Sequence, residues 1–129
     1  MKENKTTLVI GASQNTSRYA AMAIAMLIEY GHKVYAVGRK EGEIYDVTIH
    51  TSEQRFDDVH TITLYVNPEI QHSYYDYILE TKPERVIFNP GAENHVFAKL
   101  LKEAGIKSVN ACTLVMLRTG QYTRDEVDE

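Results

Sequence analysis

The strongest chemical signal follows the first apolar run of the chain, Leu8-Val9-Ile10. The chain continues with the small and polar residues Gly11, Ala12, Ser13, Asn15, Thr16 and Ser17. A glycine at such a turn lets a phosphate approach the backbone, and the N-terminus of a following helix offers unpaired N–H groups. The loop therefore predicts a site for a phosphate-bearing ligand. The alternative is a turn and helix cap without any ligand.

Three later apolar runs end in residues of the same small, polar or backbone-exposing kind. These ends are Gly38-Arg39-Lys40, Asn67-Pro68 and Asn89-Pro90-Gly91. Open parallel sheets bind ligands outside the carboxyl ends of their strands. We therefore expect the four strand ends to border one crevice.

The first loop departs from the dinucleotide fingerprint G-x-G-x-x-G, because Ser13 replaces the second glycine and Thr16 the third. The acid that NAD enzymes carry after the second strand is also missing, and Arg39 and Lys40 follow Gly38 instead. The pattern disfavours an NAD dehydrogenase. It leaves open NADP or a nucleotide with a 3′-phosphate.

No set of residues has the spacing of a catalytic or metal site. The histidines are His32, His50, His60, His72 and His95, and none forms an H-x-x-x-H pair. We expect His32 and His72 on the surface, and only His95 can face the crevice. Cys112 is expected to be a buried structural thiol. We therefore expect binding without catalysis, and no metal.

The apolar spacing predicts alternating strands and helices. Predicted strands cover residues 8–10, 33–37, 47–51, 59–66, 85–88 and 106–109, and predicted helices cover residues 18–30, 93–104 and 112–117. A further helix starts at Asn67 and Pro68 and ends at Lys82-Pro83. This order predicts an α/β, Rossmann-like, doubly wound parallel sheet in a single three-layer domain spanning residues 1–129, with the first strand central.

The same spacing predicts helix faces and ends. Core-facing residues are expected at Tyr19, Met22, Met26, Leu27 and Tyr30 in the first helix, at Ile70, Tyr74, Tyr77 and Ile78 in the next, and at Val96, Phe97, Leu100 and Leu101 in the third. Thr16 or Ser17 is the expected N-cap of the first helix. The polar termini, about residues 1–6 and 122–129, are expected to lie outside the core, with the tail frayed after Gln121.

The composition limits the classes of protein to which the chain can belong. The 129 residues carry a net charge of −4, which disfavours nonspecific nucleic-acid binding. The single cysteine excludes an internal disulfide, and no apolar run reaches membrane-spanning length. We expect a cytoplasmic protein without a membrane segment.

The order of these motifs resembles the small stand-alone CoA-binding protein family, which is similar to the CoA-binding domain of the succinyl-CoA synthetase alpha subunit. The matching segments are V-I-G-A-S-x-x-x-x-S, G-H-K-V-Y-A-V, Y-V-N-P and I-F-N-P-G-A-E-N. The resemblance implies CoA or acyl-CoA as ligand. By position it implies contacts from Gly11, Ala12, Ser13, Ser17, Val37, Gly38, Arg39, Tyr65, Val66, Asn67, Pro68, Asn89, Pro90 and Gly91. Gly38-Arg39 stands where the family commonly has Asn-Pro. The synthetase's second domain has no counterpart, so the resemblance does not imply ligase activity.

Three classes of function remain open on the sequence alone. The first is a CoA or acyl-CoA binding module with a regulatory or accessory role. The second is an NADP-linked enzyme. The third is a Rossmann scaffold for protein assembly, with the apolar residues 114–117 as its interface. A homo-oligomer or an enzyme partner is compatible with these classes.

Overall fold

Strands and helices alternate along the chain in the computed structural model, which describes residues 4–51 and 53–124. The strands are β1 (Thr7–Ala12), β2 (Val34–Gly38), β3 (Gly42–Ile44), β4 (Val47–His50), β5 (Thr61–Leu64), β6 (Arg85–Phe88) and β7 (Lys107–Asn110). The helices are α1 (Tyr19–Glu29), α2 (Pro68–Gln71), α3 (Tyr75–Thr81), α4 (His95–Glu103) and α5 (Thr113–Thr119). The strands of this part of the chain form one sheet in the order β3-β4-β2-β1-β5-β6-β7.

The sheet confirms the predicted Rossmann-like domain with a central β1. Strand β1 pairs in parallel with β2 and β5, and β4, β6 and β7 extend the parallel sheet on either side. Consecutive side chains of β1 face opposite layers, as strand geometry requires. Leu8 and Ile10 pack with Phe97 of α4, whereas Val9 packs with Ile24 of α1. The helices therefore cover both faces.

Strand β3 was not predicted, and it is antiparallel to its neighbour β4. Tyr45 and Asp46 join the two strands, and both have positive φ, 51° and 66°. Two consecutive residues of positive φ fit the turn that closes a two-residue hairpin. The sheet is consequently mixed at this edge.

Several predicted helix faces are wrong. In α1 the small residues Ala20, Ala21 and Ala23 are buried with Ile24 and Leu27, because they let the helix approach the sheet closely. The predicted core residues Tyr19 and Met22 are exposed, and Met26 and Tyr30 are half-buried. Beyond α1, Ile70, Val96 and Leu100 are also exposed, whereas Tyr77, Ile78, Phe97 and Leu101 are buried as predicted.

Some element boundaries also differ from the prediction. The predicted helix after Asn67 is divided by a 3-10 turn, His72–Tyr74, into α2 and α3. The predicted strand 59–66 shortens to Thr61–Leu64. Arg18 is the N-cap residue of helix α1 in place of Thr16 or Ser17, and no side chain makes a capping hydrogen bond there.

A polar cluster fills the amino end of the sheet. It includes His32, which the sequence predicted on the surface, and Tyr122, which it predicted in the frayed tail. Arg85 is buried, and its guanidinium donates to Thr61 Oγ1 at 2.8 Å and to the Tyr122 carbonyl at 2.9 Å. The Tyr122 hydroxyl is hydrogen-bonded to Thr7 Oγ1, and its ring lies beside that of buried His32. The predictions of a surface His32 and of a frayed Tyr122 are therefore wrong.

The amino-terminal segment also enters the core at this end. Lys5 and Thr6, predicted as part of a polar terminus, are buried. The backbone N–H of Lys5 donates to His32 Nδ1 at 2.9 Å, which fixes the buried ring. Residues 1–3 and 125–129, which the prediction also assigned to the polar termini, lie outside the described residues.

Candidate functional site

The loop after β1 is held against the end of β5 by Gly11. Its φ is 99°, and a Cβ there would lie 3.1 Å from the Tyr65 backbone and 3.0 Å from Val66 Cγ1. The β1–β2 register also shifts between Ile10 and Ala12. Gly11 is thus required by the close approach of two strand ends, whether or not a phosphate binds.

Gly38 brings the end of β2 equally close to β1. A Cβ at Gly38 would lie 2.2 Å from the Ala12 carbonyl oxygen, which no side chain could tolerate. Val37 and Gly38 are buried, and Arg39 and Lys40 follow them on the surface. The carboxyl ends of β1, β2 and β5 therefore lie close together at one edge of the sheet.

Polar residues organise the loop between β1 and α1. Ser13 Oγ accepts from the Asn15 backbone N–H at 3.0 Å, and Asn15 Oδ1 accepts from both the backbone N–H and the hydroxyl of Ser17. The Ser13 hydroxyl proton remains available to donate. The first turn of α1 has neither a capping side chain nor an acidic residue. Its N–H groups and partial positive charge are therefore available to an anion.

The segment after β5 begins the next helix, as predicted. Asn67 Oδ1 accepts from the Ile70 backbone N–H at 2.9 Å, and Pro68 occupies the first turn of α2. Asn67 and Pro68 are exposed, whereas Tyr65 and Val66 are half-buried. This arrangement fixes the side chain of Asn67 as a cap and leaves Tyr65 and Val66 to line the edge.

Tyr65 carries a buried hydroxyl that makes no hydrogen bond of normal geometry within the described residues. Burial raises the pKa of Tyr65 to about 12, although the nearby hydroxyls of Thr113 and Thr63 oppose part of that increase. The thiol of half-buried Cys112 lies near enough to add to it. Tyr65 is thus a neutral phenol over the physiological range.

Asn89 joins β5, β6 and α5 from a buried position. Its Nδ2 donates to Thr63 Oγ1 at 2.7 Å and to the Leu64 carbonyl at 2.9 Å, and its Oδ1 accepts from the Thr113 backbone N–H at 2.9 Å. The Thr63 and Thr113 hydroxyls also bond to each other at 2.8 Å. The Asn89 amide is therefore used within the protein, and its role at this edge is to position strands.

The turn after Asn89 lies on the surface. Gly91 has a φ of 93°, and its backbone N–H donates to Glu93 Oε1 at 2.9 Å. Helix α4 then begins at His95 under an Asn94 cap, so the predicted start at residue 93 is wrong. His95 is exposed, and Cys112 is half-buried rather than fully buried.

Sequence reasoning missed Gln71, which is completely buried beneath the loops after β5 and β6. Its Nε2 donates to the Val66 carbonyl at 2.9 Å and to the Ala92 carbonyl at 2.7 Å. Its Oε1 accepts from Asn94 Nδ2 at 2.9 Å. Gln71 thereby fixes two of the predicted site loops relative to each other. No local sequence pattern marks this role.

The assembly interface predicted as an alternative at residues 114–117 finds little basis in the structure. Of the residues 114–117 expected as an assembly interface, Leu114, Met116 and Leu117 are buried in the protein's own core, and only Val115 is exposed. Within residues 4–51 and 53–124, no three His, Cys, Asp or Glu residues are grouped as metal ligands. Helices long and apolar enough to cross a membrane are also absent from those ranges.

The sheet order, the helix layers and the contacting strand ends define a Rossmann-like α/β domain. A family model described as CoA binding domain matches residues 5–118. The chain belongs to that CoA binding domain family, which confirms the resemblance inferred from its motifs.

Solved structures share this fold. An uncharacterized protein of known crystal structure is 48% identical, with a TM-score of 0.90 over 92% of this chain and 98% of that chain. A hypothetical protein from Pyrococcus horikoshii OT3 is 25% identical, with a TM-score of 0.80 over 93% of this chain and 84% of that chain. The search of curated proteins found no match.

A more distant likeness shows the fold alone. A dinucleotide-forming acetyl-coenzyme A synthetase from Ca. Korarchaeum cryptofilum, solved with phosphate and ADP, is 16% identical with a TM-score of 0.69. The match covers 84% of this chain but 26% of that chain. The shared part is therefore one domain of a much longer enzyme.

Proposed function

We propose that the protein binds CoA or acyl-CoA across the carboxyl edge of its parallel sheet. One observation supports this above the others: Gly11 lies too close to the Tyr65 backbone, and Gly38 too close to the Ala12 carbonyl, for a side chain to fit at either position. These two approaches join the loop expected to hold phosphate, the basic segment after β2 and the end of β5. A nucleotide with a long arm needs such an extended edge.

Each part of the edge has a chemistry that suits one part of CoA. The uncapped first turn of α1, with Ser13 and Asn15, suits the pyrophosphate, because N–H and hydroxyl donors stabilise anionic oxygens. Exposed Arg39 and Lys40 suit the 3′-phosphate. Tyr65 and Val66 offer a mostly apolar wall for the pantetheine arm.

Among residues 4–51 and 53–124 this edge holds no catalytic set, and we propose that the protein acts in the cytoplasm in a regulatory or accessory role, without chemistry of its own. Acetyl-CoA incubated with the protein should release free thiol at the uncatalysed rate. A faster release that disappears in His95→Ala or Cys112→Ala would overturn this part of the proposal.

Calorimetric titration with CoA, acetyl-CoA, 3′-dephospho-CoA, NADPH and NADH tests the ligand. We expect CoA and acetyl-CoA to bind, 3′-dephospho-CoA to bind more weakly, and the nicotinamide nucleotides not to bind. A ligand at about 100 times its Kd also stabilises the fold by about 2.7 kcal/mol, which thermal unfolding detects. Preferential binding of NADPH would instead support the NADP-linked enzyme, which Arg39 and Lys40 also fit.

Arg39→Ala locates the ligand, because this side chain is exposed and its loss leaves the core intact. We expect it to remove most of the preference for CoA over 3′-dephospho-CoA. Lys102→Ala is the matched control, since Lys102 is an exposed cation on α4. Equal effects of the two substitutions would contradict the proposed site. Gly11 is unsuitable for this purpose, because any side chain there also strains the fold.

A further inference from the structure

A basic groove of about 460 Å³ lies between helix α4 and strand β7, on residues that the proposed CoA site does not use. Three of its lining residues, His95, Lys99 and Lys102, are spaced four and three residues apart on α4. That spacing places them on one face of the helix. Lys107 of β7 also lines the groove, and Ala98 and Ile106 supply the apolar part of the lining.

The groove is a local departure from the acidic charge of the chain. The chain has a net charge of −4, yet no carboxylate lines the groove. Neither Lys99 nor Lys102 forms an ion pair within residues 4–51 and 53–124. Glu103, four residues after Lys99, is exposed and does not neutralise it at salt-bridge distance. The groove therefore attracts anionic groups.

One wall of the groove is the last strand of the sheet. Strand β7 pairs with β6 alone in the described part of the chain. The Lys107 backbone N–H donates to the Glu84 carbonyl, on the β6 side. Because parallel strands bond alternately to their two sides, the N–H and C=O groups of Ser108 and Asn110 point away from β6. An extended peptide can pair with such groups as an additional strand.

We propose that the α4–β7 groove binds an extended acidic segment of a partner protein as an eighth strand beside β7. The length of the basic stripe on α4 matches the spacing of side chains on a short strand. Helix residues rise about 1.5 Å each, so the stripe from His95 to Lys102 spans about 10 Å. Alternate residues of a strand are about 6.6 Å apart, so carboxylates at alternate positions of a short segment face that stripe.

Charge explains why an acidic segment is the occupant. Lysines beside an exposed edge strand repel basic strands and disfavour apolar ones, because pairing would remove water from the ammonium groups without compensation, and this is one way in which proteins prevent edge-to-edge aggregation. The same lysines stabilise a strand that carries carboxylates on the facing side. The opposite edge of the sheet differs, because β3 is three residues long and contains Glu43.

The test uses the full chain and a fluorescent peptide that alternates Glu and Val. We expect saturable binding by fluorescence anisotropy, weakened by added salt. The same peptide with Gln for Glu should not bind, and N-methylation of the amides on its pairing edge should abolish binding. Hydrogen exchange should slow at Ser108 and Asn110 when the acidic peptide is present.

Lys99→Gln with Lys102→Gln should weaken peptide binding at least about fivefold, because two rim charges are lost. Arg39→Ala is the matched control, and it should change CoA binding but not peptide binding. Absence of peptide binding would show that the lysines only protect the edge, and would overturn the proposal. Displacement of the peptide by inorganic phosphate or by CoA would also overturn it, because the groove would then be a small-anion site.

Discussion

At the amino end of the sheet, the polar side chains are buried and form hydrogen bonds within the fold. At the carboxyl end, several polar side chains lie at or near the surface and keep hydrogen-bond donors on the solvent side. Arg85 at the amino end spans Thr61 and the Tyr122 carbonyl. At the carboxyl end, Ser13 keeps its hydroxyl proton, and Arg39 is exposed. Similar residue types therefore stabilise the fold at one end of the sheet and are available to a ligand at the other.

Asn89 and Gln71 show that the carboxyl end is also supported from within. Both side chains are buried, and they bond to backbone groups at the end of β5 and in the loop after β6. Buried amides in this position hold loop geometry, because an unpaired buried amide costs free energy. Substitutions at the two ends should therefore separate three effects: stability alone, stability with affinity, and affinity alone.

The largest expected loss of stability comes from Arg85→Met. It removes the Arg85 donor from the Tyr122 carbonyl and leaves Thr61 Oγ1 with its bond to His60 Nδ1, and it removes the cation that lies 4.4 Å from the Tyr122 ring centre. We expect a decrease of about 3 kcal/mol in the free energy of unfolding, measured by urea denaturation. The CoA affinity of the folded fraction should stay unchanged. A marked loss of CoA affinity would show that the amino end of the sheet also affects ligand binding.

Asn89→Ala should lower both quantities. It removes two donated bonds and the acceptor for the Thr113 backbone N–H, so we expect about 2 kcal/mol less stability. CoA should also bind more weakly, as measured by calorimetry, because the ends of β5 and α5 lose their common tether. Asn110→Ala is the control, since its side chain is exposed at the end of β7. Unchanged CoA affinity in Asn89→Ala would place the ligand away from this edge.

Tyr122→Phe is a smaller test of the amino end. The substitution removes the hydrogen bond to Thr7 Oγ1, while the ring beside Arg85 and the carbonyl remain. We expect a loss of about 1 kcal/mol in unfolding free energy. Tyr45→Phe, at an exposed turn, should have no measurable effect. If both variants behave alike, the Tyr122 hydroxyl contributes nothing to the cluster.

The features that sequence could predict depend on neighbours in the chain. The strand–glycine turn at Gly11 and the Asn67 cap involve residues a few positions apart, and the structure has both. Gln71 and Tyr122 act through partners 21 and 115 residues away, so no local pattern marks them. The alanine face of α1 was not predicted, because the larger apolar residues on the other side of the helix dominate the hydrophobic periodicity of the sequence.

The hairpin between β3 and β4 was not predicted from the sequence, for a different reason. Its turn uses Tyr45 and Asp46 at positive φ rather than the Asn-Gly pair that identifies such turns in a sequence. At the candidate site, the contacts of Gly38 with Ala12 depend on strand order, which only the folded sheet supplies. Sequence therefore predicts the strand ends, and the structure shows which of them meet.

The smallest effect near neutral pH is expected for Tyr65→Phe, at the carboxyl end. Its buried hydroxyl makes no hydrogen bond of normal geometry among the described residues, so its removal should change stability by less than about 0.5 kcal/mol. Tyr77→Phe is the matched comparison, because the Tyr77 hydroxyl donates to the Gln54 carbonyl at 2.6 Å. That variant should lose about 1 kcal/mol.

The contribution of Tyr65 to stability should become measurable at alkaline pH. Burial raises its pKa to about 12 from 10.0, so the folded state holds the proton more tightly than the unfolded state does. The resulting stability is fully present below about pH 10 and is lost as the pH rises through about 12. Urea denaturation over this interval should show a shallower decline in Tyr65→Phe than in the wild type. An identical decline would show that folding does not raise the pKa of Tyr65, and a loss at neutral pH equal to that of Tyr77→Phe would show that its hydroxyl is hydrogen-bonded within the fold.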